Sequence, residues 1–380
     1  MMPLTIAAIS LLGVVAAGGV WLTRLPPPPA ATPAPAVAVP PAAAASELFT
    51  GSIGKASDVP PPAQSEAETL PAEDVIDQSA AEMESMAADA GPAEPPEAIE
   101  EASIIAAPNR PLRKAPIAAV TETTAQGPLP RISSGGKTPF EAYSHATPLA
   151  VLHTNQPKIV LVLGGMGLNA RLTRKAIEEL PGDITFGFAP YGDDLQAQVN
   201  KARSRGHEIL LQVPMEPLGY PGNNPGPHTL LSDALPKENL DALRWHMSRF
   251  AGYSGITNYM GARLLGAEDA LRPVMREMTA RGLAYLEDAT VSLTLSPKLG
   301  AETGLPMRQA SMVIDAAPTA PAIAAALAQL EQEAIANGVA IATGSGLEIT
   351  IDTVAEWAKT LQEKGILLVP LSAAYKGNPA

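Results

Sequence analysis

The amino-acid sequence predicts an α/β fold in which a parallel sheet is covered by helices. From residue 157 onward, short and nearly continuous apolar runs alternate with longer runs that have one polar face. Runs such as KIVLVLGG and HEILLQVP are typical of strands buried on both sides, whereas TVAEWAKTLQEKG is typical of a helix. This alternation indicates parallel strands joined by helical crossovers. About eight strands fit either a β/α barrel or an open doubly wound sheet.

The predicted elements follow in a regular order along residues 157–376. The strands are KIVLVLGG, ITFGFAP, HEILLQVP, GITNYMG, LAYLED, MVIDA, VAIATG and ILLVPLS. The helices are NARLTRKAIEELP, DDLQAQVNKARSRG, PKENLDALRWHMSRF, AEDALRPVMREMTARG, TAPAIAAALAQLEQEAIANG and TVAEWAKTLQEKG, several of them bounded by proline or glycine. The Pro-, Gly- and Asn-rich loop from Met215 to Thr229 is too long for a plain connection, so we expect it to cover a site.

The part of the chain that precedes the predicted fold has a different composition. Residues 3–23 are 21 positions without a charge, and a membrane-spanning helix needs about 20 residues. We therefore expect residues 1–25 to be a transmembrane anchor, with a cleaved signal peptide as the alternative. Residues 26–156 are rich in Ala, Pro, Glu and Ser and are expected to form a disordered acidic spacer.

Charge and cysteine content limit the classes of partner and site. The formal net charge is −13, and the acidic excess lies between Glu47 and Glu101, within the spacer. We consider two interpretations of this acidic segment: it is a solvated tether, or it is a docking tail that binds a basic envelope protein. No broad basic face suggests nucleic acid, and the absence of cysteine excludes disulfides and thiolate metal sites. The expected location is the inner membrane, single-pass, with a periplasmic folded domain.

A glycine-rich turn after the first predicted strand allows two interpretations. The stretch GMGLNA, Gly165 to Ala170, fits G-x-G-x-x-A between a strand and a helix, the pattern of dinucleotide-binding turns. The next strand ends in Ala-Pro, however, where an acidic residue would hold a ribose. A dinucleotide site through Gly165–Gly167 is therefore one hypothesis, and a turn that packs strand against helix is the other.

Eight motifs in sequence order resemble the divergent polysaccharide deacetylase family across essentially the whole predicted fold. They are GLN…AIEELP, ITFGFAPY, RGHEILLQVPMEP, PGPHTL, NYMGAR, RGLAYLED, IATG and GILLVPLS. The resemblance implies an irregular β/α barrel over residues 157–376. It also implies a kinship with enzymes that remove acetyl groups from N-acetylated sugars with a bound divalent metal.

The same resemblance implies that the metal site has been lost. Gly164 and Gly165 stand where the family has an Asp-Asp pair, Gln212 and Tyr259 stand where it has histidine ligands, and Ser345 stands where it has a histidine acid. Glycine offers no ligand, and a neutral tyrosine with a reference pKa of about 10 is a poor zinc ligand. We expect no metal cofactor and a pseudoenzyme that binds a polysaccharide or peptidoglycan-like glycan or acts as a scaffold.

Polar residues near the predicted strand ends are the candidates for glycan binding. They are Gln212, Glu216, Asn223, Asn224, His228, Asn258, Tyr259 and Arg263. The acids Glu287, Asp288 and Asp315 keep open the alternative of an active carbohydrate deacetylase or hydrolase without metal. Arg263 is expected to pair with Glu287 or Asp288. His207, Trp245 and Trp357 are expected to have structural roles.

Overall fold

The structure, a computed structural model, describes residues 110–376. The predicted transmembrane anchor and residues 26–109 of the predicted spacer lie outside this range. Within residues 110–376, no helix is both long enough and apolar enough to cross a membrane.

Eleven strands are present among the described residues, and nine of them form one sheet. The antiparallel hairpin is formed by β1 (Thr121–Thr124) and β2 (Gly127–Pro130). The sheet contains β3 (Lys158–Met166), β4 (Thr185–Phe188), β5 (Ile209–Met215), β6 (Gly255–Met260), β7 (Ala284–Glu287), β8 (Met307–Gln309), β9 (Met312–Val313), β10 (Val339–Ser345) and β11 (Leu367–Leu368). Its order is β8-β7-β6-β5-β4-β3-β10-β9, with β11 beside β3, and every pairing is parallel.

The sheet curls because one short segment bonds to both of its sides. Only Ala310 and Ser311 separate β8 from β9. The Ala310 N–H donates to the Glu287 carbonyl at 2.9 Å, and the Ser311 N–H donates to the Ile341 carbonyl at 2.8 Å. This segment therefore connects β7 to β10, and the fold is an irregular β/α barrel. Of the two architectures that the sequence allows, the barrel is confirmed.

Ten helices accompany the strands in residues 110–376. They are α1 (Pro139–Tyr143), α2 (Leu149–His153), α3 (Ala170–Glu179), α4 (Leu195–Ser204), α5 (Pro236–Met247), α6 (Glu268–Ala280), α7 (Ser296–Thr303), α8 (Ala320–Asn337), α9 (Glu348–Ala358) and α10 (Leu371–Lys376). In β3, Ile159, Leu161 and Leu163 belong to one apolar cluster, and Val160 and Val162 belong to another. Burial on both faces explains why the strand is continuously apolar.

The expectation of disorder is wrong for the last part of the predicted spacer. Residues 110–156, which we call the strap, contain β1, β2, α1 and α2 and pack against the barrel. Tyr143 and Val151 are buried, and Thr138 and Glu141 form a capping box at the start of α1. The Ala- and Pro-rich composition conceals these few apolar anchors, although the threonine-rich stretch TETT and the capping pattern were visible in the sequence.

Arg203 of α4 fastens the strap to the barrel from inside. Its side chain is only 1% exposed. Its Nε donates to the Arg113 carbonyl at 2.8 Å, and its Nη1 donates to the carbonyls of Tyr143 and Gly252, both at 3.1 Å. The guanidinium also lies over the Tyr143 ring, 5.0 Å from its centroid. A buried cation is tolerated here because its donors are used.

Glu208 joins the strap to the end of the described chain. This fully buried carboxylate accepts the His145 N–H of the strap at 2.5 Å and the Ser372 N–H of α10 at 2.9 Å. It directly precedes β5, so it lies at the amino ends of the strands. The contacts of Glu208 therefore lie at the opposite end of the barrel from the carboxyl ends of the strands, where ligands bind in such barrels.

Candidate functional site

Gln212 fills the space beside the first glycine of the GG pair. A Cβ built on Gly164 would lie 2.6 Å from Gln212 Nε2, closer than nonbonded heavy atoms approach. Gln212 Oε1 accepts the Gly165 N–H at 2.9 Å. On β4, which lies between β3 and β5, the facing residue is Gly187, and a Cβ there would lie 3.3 Å from the Gly164 Cα. The glutamine thus reaches across β4 because Gly187 has no side chain.

Gly165 differs from its neighbour because its side-chain direction is empty. A Cβ built there meets no atom within 4 Å. Its φ of 76° is in the left-handed region, which glycine adopts without strain. The end of β3 therefore opens onto free space at Gly165 and is closed by an amide at Gly164.

The glycine turn itself holds strand and helix together. The N–H of Gly165 is bound by Gln212, and the N–H of Gly167 donates to Thr173 Oγ1 at 2.9 Å. A Cβ on Gly192 would lie 2.0 Å from the Gly167 carbonyl oxygen, so only glycine fits this contact. Both N–H groups that would face a nucleotide phosphate already have side-chain partners, which favours the packing interpretation of the turn.

Asn258 joins the ends of β6 and β7. Its Nδ2 donates to the Met260 carbonyl at 2.7 Å and to Asp288 Oδ1 at 2.9 Å. Its Oδ1 accepts the Asp288 N–H at 2.9 Å and the Tyr285 hydroxyl at 3.3 Å. The residue is fully buried, so its amide is committed to the fold. Its neighbour Tyr259 is half-buried and faces the site.

Asp288 is the candidate acid with the most open surroundings. It is half-buried, and its Oδ1 accepts from Thr290 Oγ1 at 2.5 Å and from the Thr290 N–H at 3.0 Å. Burial raises the pKa of this carboxyl above its ordinary value, and the nearby Glu287 adds to the rise. Burial also raises the pKa of the Tyr259 phenol, with a further contribution from Asp288. The pair places one phenol and one carboxyl at the same strand ends.

The carboxylates of Glu287 and Asp315 accept more hydrogen bonds within the fold than the sequence indicated. Glu287 is completely buried and accepts hydrogen bonds from Thr294 Oγ1 and Gln309 Nε2, both at 2.7 Å. Asp315 accepts the Ser345 N–H and the Thr350 hydroxyl, both at 2.8 Å. Burial raises the pKa of Asp315, whereas these hydrogen bonds lower it.

Ser345 lies beside Gly164 in the register of β10 and β3. Thus Gly164, Gln212, Tyr259 and Ser345 come together at one edge of the barrel, as the family pattern implies.

The expected partner of Arg263 is wrong. Arg263 Nη1 lies 3.1 Å from Glu216 Oε1, not beside Glu287 or Asp288. The Glu216 carboxylate is buried and also accepts the Ser232 N–H at 2.6 Å. The pair fixes the beginning of the long loop after β5 against the loop after β6, because these strands are neighbours in the sheet.

The other loop candidates lie away from the strand ends. Asn224 Oδ1 accepts the Gly226 N–H at 3.0 Å, a turn contact, and the Asn223 N–H donates to the Gly219 carbonyl. The exposed His228 ring stacks on Trp245, with centroids 4.2 Å apart. Arg249 also lies 5.0 Å from the Trp245 ring. The structure thus assigns Trp245 to packing, as it does Trp357, whose Nε1 donates to Glu331.

Two of the three histidines that are buried within residues 110–376, His207 and His246, are neutral structural residues. His207 Nδ1 is 2.8 Å from the Ile184 carbonyl, and its ring stacks on Phe186. His246 Nε2 is 2.8 Å from the His228 carbonyl. Burial lowers the pKa of each to about 4.

The residues at the strand ends do not fit the metal that the family implies. Within residues 110–376, no group of three or more His, Cys, Asp or Glu side chains is arranged to hold a metal ion. Carboxylates and imidazoles are the usual ligands, and here the corresponding positions present an amide, a phenol, a hydroxyl and two glycines. In addition, Gln212 fills the volume that a carboxylate at Gly164 would need.

The fold and this set of strand-end positions define a member of the divergent polysaccharide deacetylase family. The model of that family matches residues 161–375, and the chain belongs to it. A solved structure of an uncharacterized protein from Agrobacterium tumefaciens is 38% identical, with a TM-score of 0.63, and the match covers 65% of this chain and 99% of that one.

Two bacterial relatives are more distant. The uncharacterized protein YibQ of Escherichia coli is 21% identical over 159 residues, which are 42% of this chain and 49% of YibQ. An uncharacterized protein of Haemophilus influenzae is 23% identical over 151 residues, 40% of this chain and 52% of that protein. The chain thus spans about half the length of these two relatives.

Two features of the site region were missed by the sequence analysis. Gln309 and Thr350, the partners of Glu287 and Asp315, lie in a short strand and at a helix start that were not predicted. The groove between α3 and α4 was missed as well. The only sequence signal for it was a pair of polar faces on adjacent predicted helices, which is also the pattern of an ordinary solvated surface.

Proposed function

We propose that this protein binds an envelope glycan through the carboxyl ends of its barrel strands and does not carry out metal-dependent deacetylation. The observation that carries the proposal is the Gln212 side chain, which occupies the volume beside Gly164 and bonds to Gly165. A site that had only lost its ligands would be hollow there. Replacement by a bonded amide indicates that this end of the barrel has been rebuilt around a polar, neutral surface.

The chemistry of the strand ends supports a carbohydrate ligand. The carboxyl ends of the strands carry a half-buried phenol at Tyr259, a carboxyl at Asp288 and a hydroxyl at Ser345, and Gly165 near the end of β3 leaves free space. Sugar hydroxyls and acetamido groups both donate and accept hydrogen bonds, and an aromatic ring packs against their apolar faces. The family relationship points to the same class of ligand.

A catalytic alternative centres on Asp288. Its raised pKa and its proximity to Tyr259 give one carboxyl that could exchange a proton with a bound sugar. Glu287 is a weaker candidate because both of its oxygens accept hydrogen bonds inside the fold. Acetate release that is unaffected by chelators and is abolished in Asp288→Asn would establish this alternative.

We also propose a location for the protein. The uncharged residues 3–23 would anchor the chain in the inner membrane, and the acidic spacer would hold the domain in the periplasm or dock on a basic envelope protein. The support is the sequence alone. Fractionation and protease accessibility in spheroplasts test this location, and cytoplasmic protection of the domain would contradict it.

The proposed function is tested on the full chain purified in detergent. We would measure metal content, then zinc binding by calorimetry, and then binding of a tetrasaccharide of N-acetylglucosamine and of its deacetylated form. We expect no stoichiometric zinc, no acetate release, and glycan binding that chelators do not change. Tyr259→Ala should weaken the binding about 10-fold or more, whereas Lys237→Ala, an exposed residue on α5, should not.

Zinc bound near one equivalent per chain, or glycan binding that is absent at about 1 mM, would overturn the proposal.

A further inference from the structure

A groove lies between α3 and α4, outside the barrel. Its volume is about 550 Å³, and its apolar lining includes Leu168, Ile177 and Ala197. Small-molecule sites in proteins have volumes of about 300–1,000 Å³. One end of the groove is formed by Gly167 and Leu168, in the turn that follows β3 and the glycine pair.

The charged residues that line this groove are exposed, and none of them is paired. Its lining contains two cations and three carboxylates, Arg174, Lys201, Glu178, Asp193 and Asp194. Within residues 110–376, none of these five side chains forms an ion pair or a hydrogen bond. Arg174 and Glu178 are four residues apart on one helix, the spacing at which opposite charges normally meet.

Other charges on the same helix behave differently. On α3, Lys175 pairs with Glu179 at 2.8 Å and with Asp352 at 2.9 Å. Arg171 makes a two-pronged contact with Glu348 of α9, at 2.8 and 3.0 Å. The charged residues of α3 that face α9 therefore have partners within the protein, whereas those that line the groove do not.

A buried amide oxygen at the groove also has no donor. Gln198 lines the groove, and its Nε2 donates to the Asp193 carbonyl at 2.8 Å. This bond fixes the orientation of the amide. Its Oε1 is buried and has no hydrogen-bond partner among residues 110–376. This oxygen is closed to solvent, so the amide fixes the Asp193 backbone and does not contact a molecule in the groove.

We propose that this groove is a second binding site, for a short peptide that carries both ammonium and carboxylate groups. Arg174 and Lys201 would bind its carboxylates, and Glu178, Asp193 and Asp194 would bind its ammonium groups. The apolar side chains of the lining would contact the peptide Cβ atoms. A peptide of this kind can be free, or it can be an arm attached to a cell-wall glycan.

No residue that lines the groove belongs to the proposed glycan site. The two sites are nonetheless close in sequence, because Gly164 and Gly165 lie near the end of β3, and Gly167 and Leu168, which line the groove, directly follow that strand.

The test uses the full chain and three probes in calorimetry. The first is the tripeptide L-alanyl-γ-D-glutamyl-meso-diaminopimelate, the second is the disaccharide that carries this tripeptide, and the third is the peptide-free N-acetylglucosamine tetrasaccharide. We expect the wild-type chain to bind the tripeptide. Arg174→Ala and Lys201→Ala should each weaken that binding about 10-fold or more, because each removes a charge-assisted contact. An uncharged tripeptide with capped ends should not bind.

The matched control is Arg171→Ala, one turn away on the same helix but paired with Glu348. It should leave tripeptide binding unchanged, and circular dichroism should show all three variants folded. No binding of the tripeptide or of its disaccharide at about 1 mM, or an equal loss in Arg171→Ala and Arg174→Ala, would overturn the inference.

The probes also separate this inference from the proposed function. Tripeptide binding that survives Tyr259→Ala, with no binding of the tetrasaccharide, would support the groove and refute the glycan site. Tighter binding of the disaccharide–tripeptide than of the free tripeptide would identify the peptide as an arm of a glycan. Equal affinities would identify a free peptide.

Discussion

Gln212 occupies the place that a side chain at Gly164 would need, with Nε2 only 2.6 Å from a Cβ built there. The two residues are therefore coupled, because each accommodates the other. A carboxylate cannot be restored at position 164 while the glutamine stays in its present position. An acidic side chain at position 164 would therefore require a change of packing as well as of chemistry.

This coupling predicts the result of a double-mutant cycle. Gly164→Ala should displace the end of the Gln212 side chain and break its hydrogen bond to the Gly165 N–H, which should lower the free energy of unfolding by about 1 kcal/mol. In the Gln212→Ala background the same change should cost much less, so the two effects should not add. Urea denaturation of the four proteins measures this. Gly266→Ala is the control, since a Cβ there meets no atom within 4 Å, and additive effects would contradict the contact.

The contacts between the strap and the barrel predict where a stable fragment must begin. A fragment that starts at residue 157 lacks two of the three carbonyl partners of Arg203 and the His145 N–H bound by Glu208. We expect it to be insoluble or rapidly proteolysed, because these polar groups would be left buried without partners. A fragment of residues 110–380 should unfold cooperatively. Comparable melting of the two fragments would show that the strap is dispensable.

Arg203 itself should be among the most sensitive positions outside the site. Arg203→Met removes the donor to three backbone carbonyls and should cost about 3 kcal/mol or more. It should also expose the strap to limited proteolysis before the barrel is cut. The control is Arg205→Met, two residues away and exposed, which should change the free energy of unfolding by less than about 0.5 kcal/mol.

Asp183 should make the stability of the protein depend on pH. Burial, with a contribution from Glu208, raises its pKa from 3.8 to about 7. The folded state thus holds this proton more tightly than the unfolded state, and the contribution of Asp183 to stability falls as pH rises from about 4 to 7. Asp183→Asn should therefore stabilise the protein more at pH 8 than at pH 4.5.

Denaturant titrations at the two pH values measure this difference, with the exposed Asp233→Asn as the control. A stability change for Asp183→Asn that is the same at both pH values would contradict the prediction.

Much of the barrel could be predicted from sequence because buried parallel strands and amphipathic helices repeat recognisable patterns. The run from Lys158 to Gly165 was predicted as a strand and forms most of β3. In contrast, α7 was missed because SPKLGAET is short and mostly polar. The predicted strand ILLVPLS was shortened to two residues, because Leu371 begins α10.

The candidate site could be located from sequence but not described. The order of motifs indicated that Gly164, Gln212, Tyr259 and Ser345 would share one end of the barrel. It could not indicate that Gln212 would bond to Gly165, 47 residues away, or that Arg263 would pair with Glu216 and not with the two acids at the end of β7, Glu287 and Asp288. Such choices depend on side-chain reach and on which loops meet.

The sequence by itself determined the class of fold, the family and the absence of carboxylate and imidazole side chains at positions 164, 165, 212, 259 and 345, because local periodicity and residue identity carry this information. The tertiary structure decided that residues 110–156 belong to the domain, that an amide closes the space at Gly164, and that charges on two helices face an open groove without partners. These features arise from contacts between distant residues, such as Arg203 with Arg113, 90 positions apart. A pattern read along the chain does not record such contacts.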